Sequence, residues 1–391
     1  MKRAITACIC VWWLGGSAFA QNYQIPNSDF EVWNDVNEPG DGWYSFVSAS
    51  ASGLAAWGKP LAKGNTTKID GRTGAGIQLI SKNIGQKANG NLTSGRINMG
   101  SATPTHTSNY NFTDRNADTN NCPFVGLPDS VSCWAKFSRG EDKEYSAQGN
   151  FILHGDIDYK DPHESEANVS EYRIAGSTLE ITPCVEWTYF SIPLAYTEVQ
   201  SEKMYMLGSF TTNPTPGGSA GDVLQIDDVR FIYNSRLESL AIDGVSLEGF
   251  DKDTYNYEID SYAPAIDDVM AVTDGKGATV DVQLDAGVME VTVKGNDIED
   301  NEANFHTYTL VFKWDVGFEQ NVASTVRLKS INRGIAIEGA QPGDCIEIYS
   351  VQGVKVGQYT ADGSTVMVDN LFSNTVYLVR IGAYVTRVLT K

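Results

Sequence analysis

The sequence predicts an all-β protein built of sandwich modules, and three observations carry that prediction. Apolar residues almost nowhere recur at the three-and-four spacing that lines one face of a helix. Short runs alternating apolar with polar recur instead, as in Gly76-Ile77-Gln78-Leu79-Ile80 and Trp187-Thr188-Tyr189-Phe190-Ser191-Ile192. Gly, Asn, Asp and Pro bound these runs, the punctuation of antiparallel strands joined by turns. Many short strands of this kind make sandwiches or barrels and exclude an alternating α/β enzyme.

In chain order, the first twenty residues stand apart. Lys2 and Arg3 give a basic start, Ala4 to Leu14 a short apolar stretch, and Ala18-Phe19-Ala20 a small-x-small site. That is the pattern of an export signal, so residues 1–20 are expected to be removed, the mature chain starting at Gln21. The stretch is too short for a permanent bilayer-spanning helix, and no later run reaches that length. Cys8 and Cys10 lie inside it, which argues against lipid attachment to a mature N-terminal cysteine. The expected location is outside the cytoplasm: outer surface, periplasm or medium.

Strand-like runs then continue to Phe231-Ile232-Tyr233, where Asn234-Ser235 interrupts them. A new pattern starts at Leu237 and ends in Thr307-Tyr308-Thr309-Leu310-Val311-Phe312, and a polar stretch precedes a third. The expected modules are therefore 21–234, 235–317 and 318–391. The last two are near the lower size at which a sandwich sustains its own core.

Formal net charge is −20 and the pI is near 4.5. Such a field repels nucleic acid and anionic lipid, keeps the chain soluble, and supplies carboxylates that could hold calcium. Outside the leader there remain Cys122, Cys133, Cys184 and Cys345. An oxidising compartment permits a bridge, for instance between Cys122 and Cys133. Free buried thiols fit equally well, and the spacing matches no zinc pattern.

The first module opens with Ile25-Pro26-Asn27-Ser28-Asp29-Phe30-Glu31-Val32-Trp33 and closes with Gly221-Asp222-Val223-Leu224-Gln225-Ile226-Asp227-Asp228-Val229. Between them come Cys122-Pro123-Phe124-Val125-Gly126-Leu127-Pro128, Glu186-Trp187-Thr188-Tyr189-Phe190-Ser191-Ile192-Pro193 and Pro214-Thr215-Pro216-Gly217-Gly218-Ser219-Ala220. Together, in this order, these segments resemble the carbohydrate metabolism domain family, jelly rolls found in exported proteins of Gram-negative bacteria. The resemblance implies a jelly-roll β-sandwich concerned with glycans. The two end motifs also resemble those of jelly-roll carbohydrate-binding modules, whose first and last strands lie side by side and commonly hold a structural calcium. Carried over, Glu31 and Asp227 would be ligands, with Asp29 or Asp228 nearby; six to eight oxygens would surround the ion. Alternation along a strand predicts that Asp227 and Asp228 point opposite ways. The other role open to these acids is to cap loops or accept backbone N–H bonds.

Sugar recognition needs aromatic faces for C–H groups and polar neighbours for hydroxyls. Gly42-Trp43-Tyr44-Ser45 and Ala56-Trp57-Gly58-Lys59 have loop-like surroundings, which makes Trp57, Trp43 and Tyr44 the platform candidates. Tyr159 is a further one. Trp43 lies close behind the opening motif and is also a core candidate. Asp156, Asp158 and Glu164, with His154 and His163, form the densest polar cluster of the module, and it reads as a solvated loop. It lacks the glycine and closing glutamate of an EF-hand loop, and no nucleophile elbow, P-loop or dinucleotide fingerprint occurs.

Leu237-Glu238-Ser239-Leu240-Ala241-Ile242 and Thr254-Tyr255-Asn256-Tyr257-Glu258-Ile259 resemble the cadherin- or immunoglobulin-like sandwiches that come after many exported binding modules, and imply a spacer. His306 there reads as a packed or surface residue. Ile346-Glu347-Ile348-Tyr349 to Val376-Tyr377-Leu378-Val379-Arg380-Ile381 resembles the C-terminal sorting domain of Por-type secretion, although Ser373-Asn374-Thr375 stand where that family has a glycine. It implies export or anchoring machinery as a partner. The leading expectation is thus an exported protein that binds a polysaccharide without turnover. The alternatives are a glycosidase-like enzyme on the same module and a structural or adhesive surface protein.

Overall fold

The computed structural model describes residues 22–117, 119–162, 169–261, 263–285, 287–297, 304–313, 326–331, 333–381 and 384–391. The expected export signal, the boundary near 317, His163 and Glu164 lie outside the described residues. The chain divides into two compact units. The main segment of one ends at Asn234, and the other holds most of the residues beyond it. None of the described helices is long and apolar enough to cross a membrane.

The first unit is a sandwich of two antiparallel sheets, with strands labelled in chain order as β1 (Thr66–Asp70), β2 (Ala75–Ile80), β3 (Asn91–Thr93), β4 (Arg96–Met99), β5 (Asn109–Phe112), β6 (Ser130–Ser138), β7 (Ala147–His154), β8 (Lys160–Asp161), β9 (Arg173–Ile181), β10 (Cys184–Pro193), β11 (Met204–Thr211) and β12 (Val223–Ile232). One sheet runs β11-β7-β9, with Pro123–Phe124 and β3 along the free edge of β11 and Ala195–Tyr196 beyond β9. The other runs β10-β6-β12-β2-β1. Alternation sends Val131, Cys133, Ala135 and Phe137 of β6 and Phe151 and Leu153 of β7 into one core, together with Trp43, Phe210 and Phe231. Glycine permits the closest approach there: a Cβ on Gly149 would lie 2.8 Å from the Phe210 ring.

A third sheet, β8-β5-β4 with Ser50–Ala51 running parallel to β4, belongs to the same unit. Ile152 and Leu207, from the outward face of β7 and β11, bury with Tyr159 in a small second cluster. Only part of that outward face is covered in this way. A short helix, α1 (Ala55–Ala62), packs through Ala62 against Phe46, Ala49 and Ile97.

The second unit carries two pairs of small sheets. Leu237–Ile242 pairs with Val245–Ser246 and Val269–Thr273, while Val288–Lys294 and Phe305–Phe312 anchor a four-stranded sheet. Leu237, Leu240, Val291, Tyr308 and Leu310 are buried there. His306 meets Ser235 Oγ at 2.9 Å and stacks on Tyr255, a packed residue. The last part pairs a three-stranded sheet (Arg327–Ile331, Gly334–Glu338, Thr365–Val368) with a four-stranded one (Cys345–Ser350, Lys355–Thr360, Val376–Ile381, Tyr384–Leu389) around Ile335, Ile337, Ile346, Ile348 and Val379. The fold is all-β throughout, as the alternating runs predict.

The four cysteines in described segments are free thiols. Cys122 and Cys133 face the core of the first unit unbridged, and burial pushes the Cys122 thiol up to about 12.

Candidate functional site

Strand parity fixes what the uncovered part of the first sheet displays. Gln148 lies across from Thr211 and Asn150 from Ser209, while Asn91 pairs with Thr211 from the other side. Since Gly149 and Phe151 face the core, their neighbours Gln148 and Asn150 face outward. Asn111 of β5 faces Asn91, and their amides bond reciprocally, at 2.9 and 3.3 Å. A groove of about 610 Å³ has these amides among its lining residues. That volume lies in the range of pockets that take small ligands.

Helix α1 borders the same groove. Its buried Ala55 and Ala62 leave the opposite flank to Leu54, Trp57 and Leu61, which line the groove and are largely exposed. Trp57 is 82% exposed, an indole open to solvent on the same lining as the carboxamides. Tyr110 lies on the lining too; the Lys160 ammonium sits 5.1 Å from its ring centre and Phe112 holds its edge at 5.7 Å. Two charged residues line the groove among the described ones. Lys87 is neutralised by Glu141, and Asp161 accepts a bond from Asn150 Nδ2 at 3.2 Å. The other amide atom, Asn150 Oδ1, is buried and accepts no hydrogen bond from the protein. Leaving such an acceptor unmet costs about 1–3 kcal/mol.

The sequence candidates separate sharply on this geometry. Trp57 stands on the groove. Trp43 does not: it is fully buried between Phe30 and Phe210, with ring centres at 5.6 and 5.9 Å. Tyr159 is also fully buried, against Ile152 and Leu207 and 5.0 Å from the His154 ring. Neither can offer a face to a sugar, because each is spent on packing. Tyr44 is half-buried and bridges its backbone to Thr93, away from the groove lining. The amides and Tyr110 are absent from the sequence-based candidates. A signal is present all the same, since Asn89-Gly90-Asn91, Asn109-Tyr110-Asn111 and Gln148-Gly149-Asn150 each repeat a carboxamide at the strand period of two.

The polar cluster at 154–158 is not a solvated loop throughout. His154 is wholly buried, with Thr113 Oγ1 at 2.7 Å from Nε2 and the Gly155 carbonyl at 2.9 Å from Nδ1. Burial pulls its pKa down to about 4. Asp156 and Asp158 both clamp Arg115.

The opening segment does lie beside the closing strand. Gln24 bonds both backbone groups of Phe231, and the Val229 N–H donates to the Ser28 carbonyl at 2.9 Å. Glu31 and Asp227 then meet at the turn between β1 and β2. Asp227 Oδ2 accepts the Arg72 and Thr73 amides at 2.7 and 3.1 Å, and Glu31 Oε1 accepts the Ala75 amide at 2.9 Å. Alternation fails at Asp227-Asp228, because a bulge with Asp228 at φ 50° turns both acids toward the same residue. Arg72 gives its amide to Asp227 and its guanidinium to Asp228 at 2.9 Å. Asp29 is exposed and outside this cluster. Among the described residues no three His, Cys, Asp or Glu side chains gather to hold a metal. As arranged, Asp227 and one oxygen of Glu31 accept backbone N–H bonds, one of the two roles the sequence leaves open for these acids.

No family model matches the chain, and no curated protein matches it. Among solved structures it is similar to an arabinose-bound MgGH51 α-L-arabinofuranosidase at 13% identity and TM-score 0.23, over 54% of this chain and 30% of that one. It is also similar to the adhesin domain of Epf from Streptococcus pyogenes at 8% identity and TM-score 0.20, over 83% and 79%. The chain thus spans less than a third of the arabinofuranosidase. Likenesses this distant carry no argument about function.

Proposed function

We propose that the first unit binds a neutral polysaccharide in the groove without cleaving it. The observation that carries this reading is that one groove lining holds a solvent-facing indole, Trp57, and the outward-facing amides of Asn91, Asn111, Gln148 and Asn150. The indole takes the C–H face of a sugar, and the amides, each both donor and acceptor, take hydroxyls. The near-absence of net charge on the lining favours a neutral ligand. Binding is favoured over hydrolysis because glycoside cleavage uses two carboxylates, and the described lining offers Asp161 alone. The basic-apolar-small pattern of residues 1–20 supports action outside the cytoplasm, and the sorting-like pattern of the last module supports anchoring or export through it.

A glycan and polysaccharide array probed with residues 21–391 tests the reading. A specific neutral hit, recovered intact and weakened by both Trp57→Ala and Asn150→Ala, supports it. Shortened glycan in the recovered material would move the assignment to a glycosidase. A hit indifferent to both substitutions, or a blank array from folded protein, would remove the groove from consideration and favour an adhesive or structural role.

A further inference from the structure

The outward face of the second sheet carries a separate constellation. Phe190 and Ile192 of β10 pack toward the core, so Trp187 and Tyr189 point out, and Tyr189 is half exposed. Trp134 of β6 lies directly across from Tyr189, their ring centres 5.5 Å apart. The Arg72 guanidinium covers Trp134 at 4.2 Å, and the Lys136 ammonium stands 5.1 Å from the Trp187 ring. Arg230, exposed on β12, lies across from Ser132. Arg72 is balanced by Asp228, whereas Lys136 and Arg230 pair with no carboxylate among the described residues. Three aromatic rings and two uncompensated cations on one sheet face are out of keeping with a chain of net charge −20.

We infer that this face binds an acidic polysaccharide whose charge is carried by carboxylates, a polyuronate. Trp187 and Tyr189 offer ring surface for sugar C–H faces, and Lys136 and Arg230 take carboxylates in charge-assisted bonds. Four strand residues separate Lys136 from the Ser132 row that holds Arg230, about 13 Å along the sheet. The two cations stand in separate rows of one face, so each can take a carboxylate from a different sugar of the same chain. The inference is independent of the groove, since it uses neither its residues nor its ligand.

Affinity electrophoresis of residues 21–391 through polygalacturonate, its fully methyl-esterified form and dextran sulfate provides the test. The expected result is retardation by polygalacturonate that disappears on esterification and falls about tenfold in the K136Q/R230Q double variant. Trp187→Ala is expected to weaken it further, while the melting temperature of the double variant stays unchanged. Mobility unaffected by polygalacturonate, or retardation that survives K136Q/R230Q, overturns the inference. Equal or stronger retardation by dextran sulfate overturns the choice of a polyuronate and makes the face a general anion binder.

Discussion

Trp43 and Trp57 are similar in sequence context and opposite in what they can do. Trp57 has almost nothing packed on it, so Trp57→Ala is expected to leave the melting temperature unchanged and weaken glycan binding by about 1–2 kcal/mol, five- to thirty-fold. Trp43 fills core space beside Phe30 and Phe210, so Trp43→Ala is expected to cost about 3–5 kcal/mol of stability. Chemical melts and titrations of the two variants check both halves. His154 makes a different prediction. Its folded pKa, about 4, lies below the ordinary 6.5 because burial penalises the charged ring. Between those values the unfolded chain binds the extra proton, so stability falls as pH drops from about 6.5 and this contribution levels off near 4. Urea melts across that window should show a slope in the wild type that His154→Gln flattens. An identical slope in both would place the titration elsewhere.

At the scale of elements, alternation is a good guide to sheets and a poor one to their exceptions. It identifies the runs that form β2, β10 and β12, yet it separates Asp227 from Asp228, which the bulge brings to one residue. A left-handed aspartate inside a strand leaves no mark in the apolar pattern. The turn between β1 and β2 depends on this bulge: Asp227 accepts its amides, and a Cβ on Gly74, at φ 59°, would collide with the Glu31 carboxylate. Removing the acceptor takes away the partner of three amides, those of Arg72, Thr73 and Asp228, so Asp227→Ala is expected to destabilise the unit by about 2–3 kcal/mol. With N–H groups already on Asp227 and on one oxygen of Glu31, the melting temperature is expected to be the same in calcium and in chelator. A rise with calcium would mean that the turn rearranges to admit the ion, restoring the ligand set of Glu31 and Asp227. The groove is half legible for a related reason. Trp57 is visible in the sequence as an aromatic in a glycine-rich stretch. The amides of β3, β5 and β7 come onto one groove only because a third sheet leaves part of the face open, and that depends on packing between segments far apart in sequence.

Over the whole molecule, charge separates the two surfaces of the first unit. The chain is strongly acidic, but the described groove lining carries one residue of each sign, Lys87 and Asp161, and its other polar residues are mostly amide and hydroxyl. Bonds from amides to sugar hydroxyls involve no ion pair, and counterions have little to screen. Affinity in the groove is therefore expected to change less than twofold between about 0.05 and 0.5 M salt. The outward face of the second sheet should behave oppositely. Lys136 and Arg230 are solvent-facing cations working against the negative field of the rest of the chain, and their attraction for a carboxylate weakens as the Debye length shrinks from about 10 Å at 0.1 M to 3 Å at 1 M. Titrations of a neutral glycan and of polygalacturonate over the same salt series measure the contrast directly. Parallel losses for both ligands would mean that they share one charged surface, which neither the neutral lining nor the separate placement of the two constellations allows.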